Sequence, residues 1–401
     1  MLIFPWPLGK LPGFGVLEEF HSRFFEPLIT WFGNDLLGIE SKISNSVIIS
    51  GDKLYDYLLL LFFIILALLG SFIWSFIEKR NRPYEKLNYI FEIILRYFLA
   101  YQMIYYGIFK IIPVQFFEPY FSTLLQSYGK ASPMGIFWTM MAVSKGYALF
   151  AGLAEFIGGV FLFFRKTKLL GSLISIGVLI NVVAVNFFYD IPVKLFSIEL
   201  LIIAILLIVP YLSRLSKVIL SNRAVEKIIL PSYYDKGKWK TIRPFLKWGF
   251  VAIFCYTTLS TALKAYSFHR EKEKTIPLYG LYEISTLITN NDSITTQVKY
   301  ADTWRYLIIE HDNSAQILQT DMSKRAYEFE VDSIAKKFNM KNFRDSEDVY
   351  TFNYQKTDTT LTFSGIVKND TLFYETKRIE KEDFLLMNRG FHWINEYPYN
   401  R

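Results

Sequence analysis

The sequence predicts a membrane-embedded all-α bundle of about six spans, followed by an antiparallel β domain built as a meander barrel or a sandwich. Three observations predict it. The chain is 52% hydrophobic and only 20% charged, too apolar for a soluble protein of 401 residues. Its apolar residues gather into runs of about 20, the length a helix needs to cross a hydrocarbon core. Beyond about Thr275 the runs become short and alternate with a period of two, as half-buried strands do.

The first 53 residues are assigned to the periplasmic side. "MLIFPWPLGKLPGFG" is apolar, is broken by three prolines and lacks a basic start, so it does not read as a signal peptide. "FGVLEEFHSRFFEPLITWFGNDLLGI" spaces Phe, Leu and Trp helically. It reads as amphipathic helices lying at the outer interface or as a packed extracellular cap; a further helix upstream of the deduced start is a third reading.

The membrane domain is placed at residues 54–266. Its spans are Leu54–Ile77, Leu87–Ile112, Gly146–Phe164, Lys168–Phe188, Pro192–Val209 and the Thr- and Ser-rich Phe245–Tyr266. Lys and Arg concentrate in alternate loops: "EKRNRPYEK", "RKTK" and the long segment after the fifth span. The positive-inside rule puts those loops in the cytoplasm, and both residues 1–53 and 267–401 in the periplasm of a bacterial inner membrane.

Residues 267–401 form the predicted β domain. "TWRYLIIEH", "SAQILQTD", "RAYEFEVD", "DVYTFNYQ", "TLTFSGIV" and "TLFYETKRI" alternate between the turn signals "DNS", "DMSK", "KTDT" and "KND". A lipocalin-like barrel fits, although alternation alone does not separate an open sheet from a closed one. The closing "RGFHWINEYPYNR" holds His392, Trp393, Glu396 and Arg401. It reads as a plug that caps the barrel or docks on the membrane domain, or as a strand of chain whose His392 and Glu396 line a site.

Ionisable groups within spans are costly and face protein or a water-filled cavity. With a helical rise of 1.5 Å per residue, Glu155 lies ~13 Å below the outer surface, Glu199 ~10 Å, Asn181 ~13 Å, and Tyr105 and Gln102 ~10–15 Å. Four consecutive spans therefore offer a polar residue at one depth, a candidate ligand or proton site to which Asn186 also belongs. Gly152, Glu155 and Gly159 share a small-residue face, so helix–helix glue is the competing reading of Glu155. Glu92 and Arg96, four residues apart, read as a structural ion pair. Asp190 and Lys194 in "NFFYDIPVKLF" read as a local ion pair at an interfacial turn or as an entrance that selects by charge.

Several function classes are excluded. Cys255 is the one cysteine, so neither an intramolecular disulfide nor a Cys-based metal site can form. The four histidines are scattered, and no metal site is predicted. The net charge of +7 is explained by topology and not by nucleic acid. Phosphate-loop, nucleophile-elbow and paired-Cys motifs are missing. The stripe "RYFLAYQMIYYGIFK" suits either interfacial packing or stacking of a quinone-like ring.

"RYFLAYQMIYYGIFKIIP", "GYALFAGLAEFIGGVFLFFRKTKLLGSLISIGVLINVVAVNFF" and "YDIPVKLFSIELLIIAILLI" together resemble the DoxX-like membrane proteins over about Asn88 to Pro210. "YGKASPMGIFWTM" and "RGFHWINEYPYNR" resemble longer bacterial members with an added C-terminal domain. The resemblance implies a four-helix core whose third element carries the motif matched by Gly152, Glu155 and Gly159. It also implies an inner-membrane location, links in some relatives to quinone-dependent sulfur oxidation or redox stress, and distant kinship with the membrane domain of vitamin K-dependent carboxylases. The chain departs from any redox pattern in lacking paired cysteines.

Two readings of function follow. In the first, the core binds a lipophilic molecule such as a quinone near Glu155, Asn181 and Glu199 and supports envelope redox chemistry, as an oxidoreductase or a subunit of one. In the second, the helices anchor a non-enzymatic envelope component, and the β domain binds a protein, glycan or lipid partner. A transporter ranks last, since neither an inverted repeat nor a Gly/Pro-broken helix pair is evident.

Overall fold

The computed structural model describes residues 15–43, 52–78, 84–226, 238–290, 292–295, 303–345, 348–367 and 370–400. They fall into two compact units, one centred on the helices up to about Ala262 and one on the strands.

In the helical unit, α1 (Gly15–Trp31) runs into a π-helical turn at Phe32–Leu36. Both lie against the start of α2 (Leu54–Ile77), where Ile29, Phe32, Ile43, Tyr55 and Leu58 form a small core. Phe25 meets Phe63 edge-on at 5.2 Å, and Phe32 meets Phe62 at 5.4 Å. The helical spacing of aromatics in α1 thus serves packing onto α2. The second half of α2 leaves Leu68, Phe72, Ile73, Trp74 and Phe76 exposed, a surface that water does not favour.

Next come α3 (Glu85–Ile111), the single turn α4 (Phe121–Leu124), α5 (Pro133–Val143), α6 (Lys145–Leu162), α7 (Lys168–Phe188) and α8 (Lys194–Ile208). A 3-10 turn at Val209–Tyr211 carries α8 into α9 (Leu212–Ile219). The helical series before the strands ends with α10 (Lys238–Thr275). Among the described residues, five stretches are long and apolar enough to cross a membrane: Leu54–Ile77, Lys145–Leu162, Lys168–Phe188, Lys194–Ile219 and Pro244–Thr275.

The second predicted span, α3, is a 27-residue helix but is too polar to join that set, since it carries Glu92, Arg96, Gln102 and Lys110. It packs against α6 and α8. Leu95, Phe98, Leu99, Met103 and Ile104 form the core together with Leu162, Leu179, Leu200, Ile203 and Leu207. A polar helix is tolerated there because its polar groups meet protein on several sides.

Glycines set the spacing of α3 and α6. A Cβ on Gly107 would lie 2.8 Å from the Gly152 carbonyl oxygen, and one on Gly152 would lie 2.8 Å from the Gly107 oxygen. Gly159 stands equally close to Ala100, where a Cβ would come within 3.0 Å of its carbonyl oxygen. The two backbones run antiparallel in direct contact, as small-residue faces allow.

The second unit is a closed antiparallel barrel. Its strands are β1 (Gly280–Thr289), β2 (Asp292–Thr295), β3 (Trp304–His311), β4 (Ser314–Gln319), β5 (Lys324–Asp332), β6 (Lys337–Asn342), β7 (Val349–Lys356), β8 (Thr360–Val367) and β9 (Asp370–Ile379). From β3 each strand pairs with the next, and β9 returns to β1 from Leu281↔Ile379 to Thr289↔Leu372. Eight strands close the ring, while β2 hairpins onto the far half of β1. Of the two predicted forms the barrel is the one present, and closure leaves no long unpaired edge.

The barrel is solid. Tyr282, Tyr327, Phe338, Phe352 and Phe363 are fully buried inside it, with Trp304 and Tyr374 among them. Trp304 stacks on Tyr374 at 5.1 Å, and Phe363 stacks on Tyr374 at 4.7 Å. A lipocalin-like cup is therefore not formed; inward positions carry rings that fill the lumen. Outside the ring, Phe121 of α4 packs with Leu281, Tyr306, Ile308 and Leu318. The Ser122 amide donates to Glu310 Oε2 at 3.3 Å. A four-residue helix gains its stability from such docking, not from its own propensity.

Replacing Phe352 by Ala should cost about 3–5 kcal/mol, as truncation of a buried ring does. Replacing Ile334, which is 97% exposed, should cost nothing measurable. Near-UV circular dichroism of the whole chain unfolding in detergent checks the contrast.

Candidate functional site

The close approach of α3 and α6 brings together two charges that lie 45 positions apart in the chain. Lys110 sits in the last turn of α3, where the helix dipole favours a cation. Its Nζ donates to Glu155 Oε1 at 2.9 Å and to Oε2 at 2.7 Å. The side chains are 10% and 6% exposed, so this is a buried ion pair. Lys110 Nζ also lies 5.6 Å from the Tyr106 ring centroid, within cation–π range. Both oxygens of Glu155 are thereby engaged by one ammonium. Lys110 closes the aromatic stripe in the sequence. The sequence carries no signal for this pairing; the Gly107–Gly152 contact, which exists only in the folded bundle, places the end of α3 over residue 155.

The other members of the predicted layer do not gather around this pair. Asn181 is exposed on α7. Glu199 is half-buried on α8 and has no hydrogen bond or ion pair among the described residues. Gln102 is half-buried on α3. Tyr105 stacks on Phe109 at 4.4 Å and meets Tyr106 edge-on at 5.5 Å, extending an aromatic face beside Lys110. Equal depth does not ensure equal direction: residues on neighbouring helices meet only when their faces turn toward one another.

Asn186 is structural. Its Nδ2 donates to the Val193 carbonyl at 3.3 Å, and its own carbonyl accepts from the Ile191 amide at 2.9 Å, which closes the turn between α7 and α8. Asp190 takes a left-handed φ of 51° and pairs with Lys194 at 2.9 Å, the local pair predicted. A residue absent from the predicted set, Asp52, accepts from the amides of Lys194 at 2.8 Å and Leu195 at 3.1 Å. A carboxylate across two free amides at a helix start is favourable, and it ties the beginning of α2 to α8.

The predicted Glu92–Arg96 bridge is replaced by another. Glu92 Oε1 takes Lys168 Nζ at 2.8 Å, with Lys168 itself buried and 4.6 Å from the Tyr211 ring. Arg96 is buried and lies 5.2 Å from the Tyr97 ring. The i,i+4 rule describes an isolated helix; in the bundle a cation from α7 reaches Glu92 first.

The aromatic tail does not plug the barrel. Arg389 holds it in a loop, donating to Asn395 Oδ1 at 2.8 Å, sitting 3.1 Å from His392 Nε2 and stacking over Tyr399 at 4.5 Å. His392 is thereby engaged, and Glu396 is exposed. Trp393 is 91% exposed and Tyr397 84%, with Phe391 and Ile394 beside them. Arg401 lies outside the described residues.

At the barrel, Asp348 accepts from Asn342 Nδ2 at 2.9 Å and from the Tyr327 hydroxyl at 3.2 Å. Burial alone would raise its pKa, but hydrogen bonds from Tyr350, Asn342 and Tyr327 outweigh it and hold the carboxyl below the usual range. Burial, aided by Glu273 and Glu310, pushes the Tyr279 phenol up. Among the described residues no group of three or more His, Cys, Asp or Glu side chains could hold a metal ion.

These features define a class first: a helical protein with several helices long and apolar enough for a bilayer, carrying a closed, filled eight-strand barrel. No family model matches the chain, and no solved structure does. It is 32% identical over 115 residues to the uncharacterized protein YwoB of Bacillus subtilis (strain 168), over 28% of this chain and 71% of YwoB. The chain belongs to the same family as YwoB, a name that brings no activity with it.

Two outcomes are expected. Lys110→Met strands a buried carboxylate and should destabilise the bundle by about 3–5 kcal/mol, whereas Lys110→Met with Glu155→Leu should recover most of that loss in thermal unfolding. A depressed folded pKa contributes stability above the unfolded value that is lost as pH falls through the folded one. The Tm difference between the wild type and Asp348→Asn should therefore hold at neutral pH and shrink below the ordinary Asp value of ~3.9.

Proposed function

We propose that this chain is a polytopic bacterial inner-membrane protein with a DoxX-like helical core, acting as an envelope component whose periplasmic barrel recognises a partner protein through its aromatic tail. One observation carries the reading: Trp393, at 91% exposure, stands with Phe391, Ile394 and Tyr397 on a loop held by Arg389. A loop with its own internal hydrogen bonds loses little conformational freedom on binding, and Trp, Tyr and Arg are the residues that most often dominate interfaces. The filled lumen supports a surface role over a cup-like one. The reading of a bilayer setting draws on the exposed apolar face of α2 and on basic residues gathered in alternate loops, which fall on one side of the spans.

A second reading draws on the Lys110–Glu155 pair. Its ammonium lies beside Tyr106, and Tyr105 stacks on Phe109 nearby, a setting suited to a flat lipophilic carbonyl compound such as a quinone in envelope redox chemistry.

A photo-crosslinking residue at position 393 in the otherwise intact chain tests the first reading. It should trap one protein species in cells, and the Trp393→Ala, Tyr397→Ala double variant should lose that partner and the phenotype at unchanged Tm. Full retention of both in the double variant sinks it. A quinone that copurifies with wild type and is lost in Lys110→Met, with the tail variant unaffected, favours the second reading instead.

A further inference from the structure

One helix of the bundle turns an amide outward from its middle. On α7, Leu173, Gly177, Asn181, Ala184 and Phe188 recur at steps of three and four, the spacing of a single helix face. Leu173, Gly177, Asn181 and Phe188 are exposed, and Ala184 is half-buried. Ser172, Ser175, Leu179 and Asn186 of the same helix are buried in the bundle instead. Asn181 has no hydrogen-bond partner among the described residues. A Cβ on Gly177 would meet nothing within 4 Å, so bare backbone is the surface there. On the two spans packed against α7, exposed residues toward the middle are apolar: Leu153 and Ile157 of α6, Ile202 and Ile205 of α8.

α7 is one of the helices long and apolar enough to cross a bilayer. Asn181 stands about 10 Å along the axis from the helix end at Phe188, inside the hydrocarbon in that setting. Hydrocarbon offers an amide no partner, and unmet donors and acceptors there are costly. An amide both donates and accepts, so the same residue on a second chain meets both needs. Copies inserted with one topology carry Asn181 at one depth. A two-fold axis along the bilayer normal therefore sets two α7 helices side by side in register, with the two amides facing each other. Gly177, one turn away on the same stripe, lets the backbones come close enough for that contact. A different partner would have to supply its own polar group at this depth; a second copy brings one by construction.

We propose that this chain pairs with a second copy of itself through the outward face of α7, the two Asn181 side chains exchanging hydrogen bonds and the two Gly177 backbones in close approach. The inference rests on the bilayer reading and is independent of the tail and of the Lys110–Glu155 pair.

The test counts photobleaching steps for the full chain, dye-labelled at Ile334→Cys in a Cys255→Ser background, in phosphatidylcholine vesicles at rising lipid dilution. Two-step spots should dominate at high protein density and give way to single steps on dilution. Asn181→Leu should weaken association about tenfold at unchanged or higher Tm, in keeping with one hydrogen-bonded contact between spans. Gly177→Leu, which has open space in the single chain, should weaken it as well. In cell membranes, Asn181→Cys in the Cys255→Ser chain should form a disulfide-linked dimer, and Ile157→Cys should not. Carbonate extraction reads insertion separately: release of the chain removes the bilayer reading and this inference with it. An inserted chain that bleaches in single steps at every dilution overturns the inference alone. So do two-step spots unchanged in Asn181→Leu and Gly177→Leu, which put the interface elsewhere, or a crosslink from Asn181→Cys to a different protein and not to itself.

Discussion

The helical unit depends on one contact, the antiparallel approach of α3 and α6 through Gly107, Gly152 and Gly159. Each backbone lies where a side chain on the other would stand. Without that approach Lys110 would have no buried carboxylate to reach, and a helix as polar as α3 would have no place at the centre of an apolar bundle. Dispersion across such an interface is short-ranged, so one added methyl group at the crossing would push the backbones apart. The ion pair and the glycines are therefore one device: the glycines set the distance, and the pair makes the α3–α6 registry the favourable one.

The same economy governs the other polar groups. Asp52 lies across the amides at the start of α8, and Lys168 crosses to Glu92. Each joins elements distant in the chain and meets a need that an apolar surrounding would leave unmet. Arg96 stands apart, because its Nε meets no acceptor among the described residues.

The barrel solves a different problem. Its inward positions are so large that Trp304, Phe338, Phe352, Phe363 and Tyr374 fill the lumen and contact one another. A filled barrel is a stable support with nothing to bind inside, so recognition falls to what it holds outside. The tail beyond Arg389 meets that description, presenting large rings from a loop that Arg389 has already ordered.

Period and composition alone determined much. Runs of about 20 apolar residues marked five helices, and period-two alternation between turn signals marked the meander, because both patterns are local and repeat along the chain. Closure was not legible: the β1–β9 pairing joins strands some 90 residues apart, and alternation reads the same in an open sheet. The candidate site was half legible. Glu155 stood out as a carboxylate in an apolar run, and Asp190–Lys194 as a near pair, but depth along a helix says nothing of direction around it. So Asn181 faced outward, Glu92 turned to Lys168, and Lys110 became the partner of Glu155. Which face of one helix meets which face of another is decided by packing over the whole bundle, and only the tertiary structure carries that information.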